Sequence, residues 1–325
     1  MKKIYPWLDV AKLACAFLIV YTHCYCRDLG GLGLWVRDIV SAVGVPFFFI
    51  TSGYFFSKGL ISADNQKRYL ERYIKRIIIM YTVWSVITIP VAWMNLGFAH
   101  PDYGVLMKIA YLIRCFLFVG SLGIYWYLLS LICGTPIIFY FHSKHKTKPL
   151  YAAAAVLFII GILYNSGMLN NTPLYTVIHV IFGSERNFLN VGLFYLCIGY
   201  QVGQNEKKLP ALPVIYACSL AVSLLIDTYL HNISSLRFMQ AFSAFSLFNF
   251  CRVLKVNLPD NTISLKCRSI STAIYLTHFP LILVFDYYLK RGTWVDFFTV
   301  TLISIALYEI VRRILPPKMV KSIYG

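Results

Sequence analysis

Apolar residues in this chain come in long runs, broken by short polar or Gly/Pro-rich stretches, rather than in the narrow stripe of a soluble amphipathic helix. A helix needs about 20 such residues to cross a bilayer. Ten runs have about that length, at roughly 8–26, 36–57, 73–95, 123–141, 150–166, 187–203, 211–229, 236–254, 270–289 and 294–314. The pattern predicts an all-α integral membrane protein of about ten transmembrane helices, one polytopic domain over 1–325.

Three stretches are irregular. Residues 98–122 hold His100-Pro101-Asp102-Tyr103-Gly104 and then an apolar stretch carrying Lys108 and Arg114, which reads as an external amphipathic or re-entrant helix. Residues 167–186 contain an apolar part too short to span, consistent with a half-helix dipping in from outside. Residues 44–53 place Pro46 and Ser52-Gly53 inside a span, where a break or kink is expected.

Composition agrees with the pattern. The chain is 59% hydrophobic and only 13% charged, about half the charge of a soluble domain. A net charge of +17 would suggest nucleic acid in a soluble protein. Here the cations sit in alternate loops. With the N-terminus inside, 21 of the 30 Lys and Arg fall within 1–3, 58–76, 144–148, 207–208, 252–268 and 312–321, against eight outside. This asymmetry predicts both termini in the cytoplasm and basic loops touching anionic lipid, with no nucleic-acid partner. The N-terminal Met-Lys-Lys mimics a signal peptide, but Asp9 and Lys12 interrupt the run and no Ala-x-Ala follows. The nine cysteines lie mostly in apolar runs and act as small hydrophobes. Cys24 and Cys26 adjoin His23 too closely to converge on one ion from a regular backbone, so no metal is expected.

The first run holds the most informative chemistry. Lys12 and His23 are eleven residues apart, which returns to nearly the same helix face about 16 Å further along. Asp9 precedes Lys12 by three residues. Ionisable groups within a span are expensive and usually face a bundle interior or a wet cavity. The predicted topology sets Lys12 toward the cytoplasm and His23 toward the outer half. A neutral imidazole there can take a hydroxyl proton, and a lysine can pair with phosphate.

Several segments, taken in order, resemble the membrane-bound acyltransferase-3 family. They are the Lys12-to-His23 spacing, Val45-Pro46-Phe47-Phe48-Phe49-Ile50-Thr51-Ser52-Gly53-Tyr54, and Arg72-Tyr-Ile-Lys75-Arg76 leading to Tyr81. Tyr125-Trp126-Tyr127-Leu128-Leu129 and Ser271-Thr-Ala-Ile-Tyr275-Leu-Thr-His278-Phe-Pro280 complete the set. Lys12 stands where the family usually has Arg, and Ser130-Leu131 stand where many members carry an acidic residue. Residues 179–199 look most like the branch that includes membrane domains of vancomycin-resistance serine racemases, whose inferred role is amino-acid uptake.

The resemblance implies a multi-pass protein of the bacterial cytoplasmic membrane that transfers an acyl group. The donor would be acetyl-CoA or another acyl-CoA, used as co-substrate with no bound cofactor. The acceptor would be a hydroxyl of a surface glycan or lipid-linked sugar. His23 would be the base or transient acyl carrier, and Lys12, Arg72 and Arg76 would contact the donor's phosphates, unless the two arginines merely anchor topology. Arg186-Asn187 opens the sixth span and is placed to hold an acidic acceptor or to mark the interface. Trp126 suits a sugar-stacking wall or an aromatic belt. Asp9, Ser52, Tyr275 and His278 complete the candidate cavity. The alternative is a transporter of a small amino acid such as serine.

Overall fold

A computed structural model describes residues 5–24, 30–184, 186–233, 239–256, 261–289 and 294–324. In chain order the α-helices are α1 (Pro6–His23), α2 (Gly31–Trp35), α3 (Gly44–Ile61), α4 (Gln66–Ile87), α5 (Ile89–Ala99), α6 (Val105–Arg114), α7 (Trp126–Ser143) and α8 (Thr147–Asn165). They continue as α9 (Pro173–Phe182), α10 (Leu193–Gln204), α11 (Pro213–Ile233), α12 (Met239–Val253), α13 (Asn261–Leu289), α14 (Trp294–Ile314) and α15 (Pro317–Tyr324). The described residues are all-helical. Six helical stretches are long and apolar enough to cross a membrane, or seven if the bent pair α4–α5 is one span. The first, sixth and eighth predicted spans are also helical, with α-helices of 18, 12 and 15 residues, and are not among those six.

Two expectations about breaks are corrected. The third span is not continuous, because α4 and α5 are bent by 58°. Pro90 lies in the first turn of α5, where it has no N–H to donate back into α4 and its ring crowds the preceding turn. Thr88 closes the end of α4, its hydroxyl donating to the Trp84 carbonyl at 2.8 Å. Conversely, α3 runs unbroken through Pro46 and Ser52-Gly53 to Ile61. Pro46 lies inside the continuous helical stretch Gly31–Ile61 and has no N–H to donate to Ala42, four residues back in the 3-10 turn that precedes α3. The irregularity lies upstream, in a π-turn at Val36–Val40 and a 3-10 turn at Ser41–Val43.

The structure divides into two compact units. The first contains, among the described residues, those up to Thr51, Glu206–Ile233 and those from Met239 onward. Its centre is the pair α1 and α13, with α14 beside them. Ala16, Val20, Tyr21 and Cys24 of α1 pack on Ile274 and Ile282 of α13 and Val300 of α14. The two long helices run parallel, because Asp9 meets Ser264 at one end and His23 meets His278 at the other. Both intervals are 14 residues, about 21 Å of helix. The helices α11 and α12 form a second pair, tied by the Ser219–Ser246 and Ser223–Ser243 hydroxyl contacts at 2.8 and 2.9 Å.

The second unit contains Ser52–Asn205. Small residues let its helices touch backbone to backbone, which is how membrane helices gain contact where lipid removes the usual hydrophobic drive. A Cβ on Gly53 of α3 would collide with the Leu196 carbonyl of α10 and come within 3.0 Å of the Tyr200 nitrogen. Gly203 lies against the Ser57 side chain, with the Tyr54 carbonyl 3.1 Å from where its Cβ would stand. The two predicted irregular stretches form short helices here. The helix α6 exposes Leu106, Met107 and Ile113, and α9 is capped by the Thr172 side chain and by Gly183 in the left-handed region.

Gly53→Val should therefore destabilise the protein by about 1–3 kcal/mol or more, since the obstacle is backbone and cannot rotate away. Gly97→Ala, whose added Cβ meets only the Lys108 amine at 3.9 Å, should be near neutral. Thermal unfolding of the purified protein in detergent distinguishes the two. Equal midpoints would refute the close approach.

Candidate functional site

Burial forces the arrangement at the Asp9 end of the α1–α13 pair. Asp9 is fully buried, and an isolated buried carboxylate is very costly. Arg268 meets it in a two-pronged grip, Nε to Oδ1 at 3.0 Å and Nη2 to Oδ2 at 2.7 Å. The Ser264 hydroxyl donates to Oδ2 at 2.6 Å, and the Lys12 amine stands 3.6 Å from Oδ1. Ser264 and Arg268 are four residues apart and so share a face of α13. The carboxylate thus holds two cations, leaving a surplus positive charge at this end. Arg268 keeps 47% of its side chain exposed and Lys12 keeps 15%, so both combine a fixed position with access. Nearby, Glu206 accepts from the Tyr5 hydroxyl at 3.3 Å and pairs with Arg252 at 3.4 Å.

At the other end of the pair, the half-buried His23 ring lies 5.5 Å from the His278 ring and 5.1 Å from that of Phe279. His278 is buried, and Tyr275, one turn earlier on α13, lies 6.5 Å away by ring centroids. The sequence candidates Asp9, Lys12, His23, Tyr275 and His278 therefore gather along one helix pair. Cys24 is packed in the core beside them, and Cys26 lies outside the described residues.

The remaining candidates belong to the second unit. Arg72 and Arg76 are exposed on α4. The Arg72 Nε donates to the Arg68 carbonyl at 3.3 Å, and the Arg76 guanidinium lies 5.7 Å from the centre of the Tyr73 ring. The Ser52 hydroxyl of α3 meets the Tyr127 hydroxyl of α7 at 2.6 Å. Trp126 is 8% exposed, set inside the unit rather than on its surface. Gly120 precedes it at φ +83° and lies directly against its backbone nitrogen, a place where only glycine fits. The Asn187 side chain is committed to a cap. Its oxygen accepts from the Leu189 and Asn190 amides, and its nitrogen donates to Ser184 and Asn190. Arg186 lines an open cavity of about 410 Å³ with Tyr111, Arg114 and Ser184. Arg114 spends its donors on the Val180 and His179 carbonyls at the end of α9.

Sequence reasoning missed Arg268, which looked like one more inner-loop cation. The signal was available: Asp9 inside a span requires a counter-charge, and Ser264 and Arg268 lie at the spacing that offers a hydroxyl and a guanidinium together. Tyr127 was missed for want of any sign that α3 and α7 touch at Ser52.

Residues 5–308 match the acyltransferase-3 family model, described as an acyltransferase domain. The chain belongs to that family. It is a helical membrane protein of the acyltransferase kind. Among curated relatives, a serine/alanine racemase of Enterococcus gallinarum is 26% identical over 242 residues, covering 70% of this chain and 33% of the relative. Two amino-acid racemases of Enterococcus faecalis are 28% and 24% identical, covering 61% and 64% of this chain. The matches span about a third or less of those relatives' own lengths, 27% and 30% for the latter two. No solved structure matches the chain.

Asp9→Asn should remove the negative charge, and one of the two acceptor oxygens, that hold the two cations together. The expected loss is about 2–3 kcal/mol, below the full cost of breaking a buried pair because Arg268 is half exposed. Denaturation of the purified variant measures it, and an unchanged midpoint would show that the pair contributes nothing.

Proposed function

We propose that this protein is an O-acyltransferase of the bacterial cytoplasmic membrane, moving an acyl group, acetyl in the simplest case, from acyl-CoA to a hydroxyl of a surface glycan or lipid-linked sugar. The observation that carries the reading is the α1–α13 pair. It sets a cation cluster at one end and a base at the other, inside a chain that belongs to an acyltransferase family. With the ten-span topology and cytoplasmic termini predicted from loop charge, the Asp9 end faces the cytosol, where acyl-CoA is made, and the His23 end faces the acceptor.

On this reading Lys12 meets the donor's phosphates, and the exposed Arg268 joins it. Asp9 holds both cations in place without cancelling them. Arg72 and Arg76 are further exposed cations on the predicted cytosolic side and remain donor candidates. His23 removes the proton of the attacking hydroxyl. Tyr275, one turn before His278, is an acceptor candidate of the first unit; Ser52, Trp126 and Arg186 are candidates taken separately, within the second unit. Asn187 serves them indirectly, by capping the turn that follows Arg186.

The test is transfer of radiolabelled acetyl from acetyl-CoA by the purified, reconstituted protein. His23→Ala should lose at least about 10²–10⁴ in rate while inserting normally. Retained turnover would refute the mechanism. Lys12→Ala should raise the KM for acyl-CoA about tenfold, the weight of one charge-assisted contact. An unchanged KM would remove it from the donor site. No label on any glycan, with saturable serine uptake by the same liposomes, would replace the transferase with a transporter.

A further inference from the structure

The His278 ring has only one way to distribute its proton. Its Nδ1 lies 2.8 Å from the Ile274 carbonyl and 2.9 Å from the Tyr275 carbonyl of its own helix. Both partners only accept, so Nδ1 carries the hydrogen. In the neutral ring Nε2 is then a bare lone pair, on the ring edge away from those carbonyls. This Nε2 is buried and has no hydrogen-bond partner among the described residues. The side chain is only 1% exposed, and a buried acceptor left unsatisfied costs about 1–3 kcal/mol. An orphaned acceptor at such a place points to a donor that comes to it during the working cycle. The His23 ring, half-buried, lies 5.5 Å away between centroids. Imidazole nitrogens stand about 1 Å off their ring centres, so two rings at this centroid distance bring a pair of nitrogens to about 3 Å when those nitrogens face each other.

We propose that His278 is a positioning residue for His23: its Nε2 accepts the N–H of the His23 ring and thereby fixes which His23 nitrogen carries the proton. This rests on the acyl-transfer reading for its consequence, though not for its geometry. The unprotonated nitrogen of His23 takes the proton as the acceptor's O–H bond breaks. The oxygen forms its bond to the acyl carbon and the carbon–sulfur bond breaks. His23 then returns the proton to the departing thiolate. His278 gains no proton. It holds the base in one tautomer and carries a hydrogen bond that strengthens while His23 is charged, the part a carboxylate plays in a serine-hydrolase triad. Pairing two neutral imidazoles avoids burying a further carboxylate in the span.

Two measurements on the full chain in nanodiscs test this. The first is ¹⁵N NMR of histidine-labelled protein. The expected result is His278 protonated at Nδ1, with His23 ring resonances that shift in His278→Leu. Protonation at Nε2, or His23 resonances unmoved by the substitution, would overturn the proposal. The second is acyl-transfer kinetics. His278→Leu should lose about 10²-fold in kcat with the KM for acyl-CoA within threefold. His278→Gln, whose side-chain oxygen accepts a hydrogen bond from about the place of Nε2, should recover to within tenfold of wild type. Equal losses in both variants, or a kcat unchanged in His278→Leu, would also overturn it. Should the wild type transfer no acyl group, the transferase reading fails by itself, and the NMR result alone decides whether the two histidines are coupled.

Discussion

A carboxylate inside an apolar bundle must bring its counter-charge with it, and the first unit is organised around that requirement. Asp9 cannot be buried alone, so α13 has to approach α1 in the register that delivers Arg268 and Ser264 to it. Once that register is set, the parallel run of the two helices places His278 beside His23, one 14-residue interval further along both. The intervening Ala16, Val20 and Ile274 are apolar and fully buried. They separate the charged end from the imidazole end by packed hydrocarbon.

The second unit solves a different problem, the close approach of helices whose surfaces are as apolar as their lipid surroundings. Gly53 and Gly203 let α3 and α10 meet at backbone distance, and the Gln204 amide donates to the Ser57 hydroxyl at 3.0 Å across the same contact. Dispersion at short range and a few satisfied polar groups replace the solvent-driven term. Gly53 reads in sequence as a hinge. In the structure it is a contact point, set against the Leu196 carbonyl of α10.

Much of this was legible from residue order. Long apolar runs with interrupting charges imply a helical membrane protein whatever the packing. Lys12 and His23 share a stripe because helix geometry alone sets an eleven-residue return. The Thr88-Ile-Pro90 bend was missed because mean hydropathy is blind to one lost N–H. The cap at Asn187 was missed because an asparagine at a span entry looks the same whether it caps a turn or faces a ligand.

The sequence by itself determined the solvent of this protein, the loop asymmetry, the stripe on α1 and the family, since each depends on local spacing or on composition summed along the chain. Only the tertiary structure decided that Arg268 is the counter-charge of Asp9, that Ser52 answers Tyr127, and that His278 turns a bare nitrogen away from its own helix beside His23. Those facts join residues 75 to 259 positions apart. Such pairs are selected by which helix faces can be buried together at acceptable electrostatic cost, and no reading along one helix at a time contains that choice.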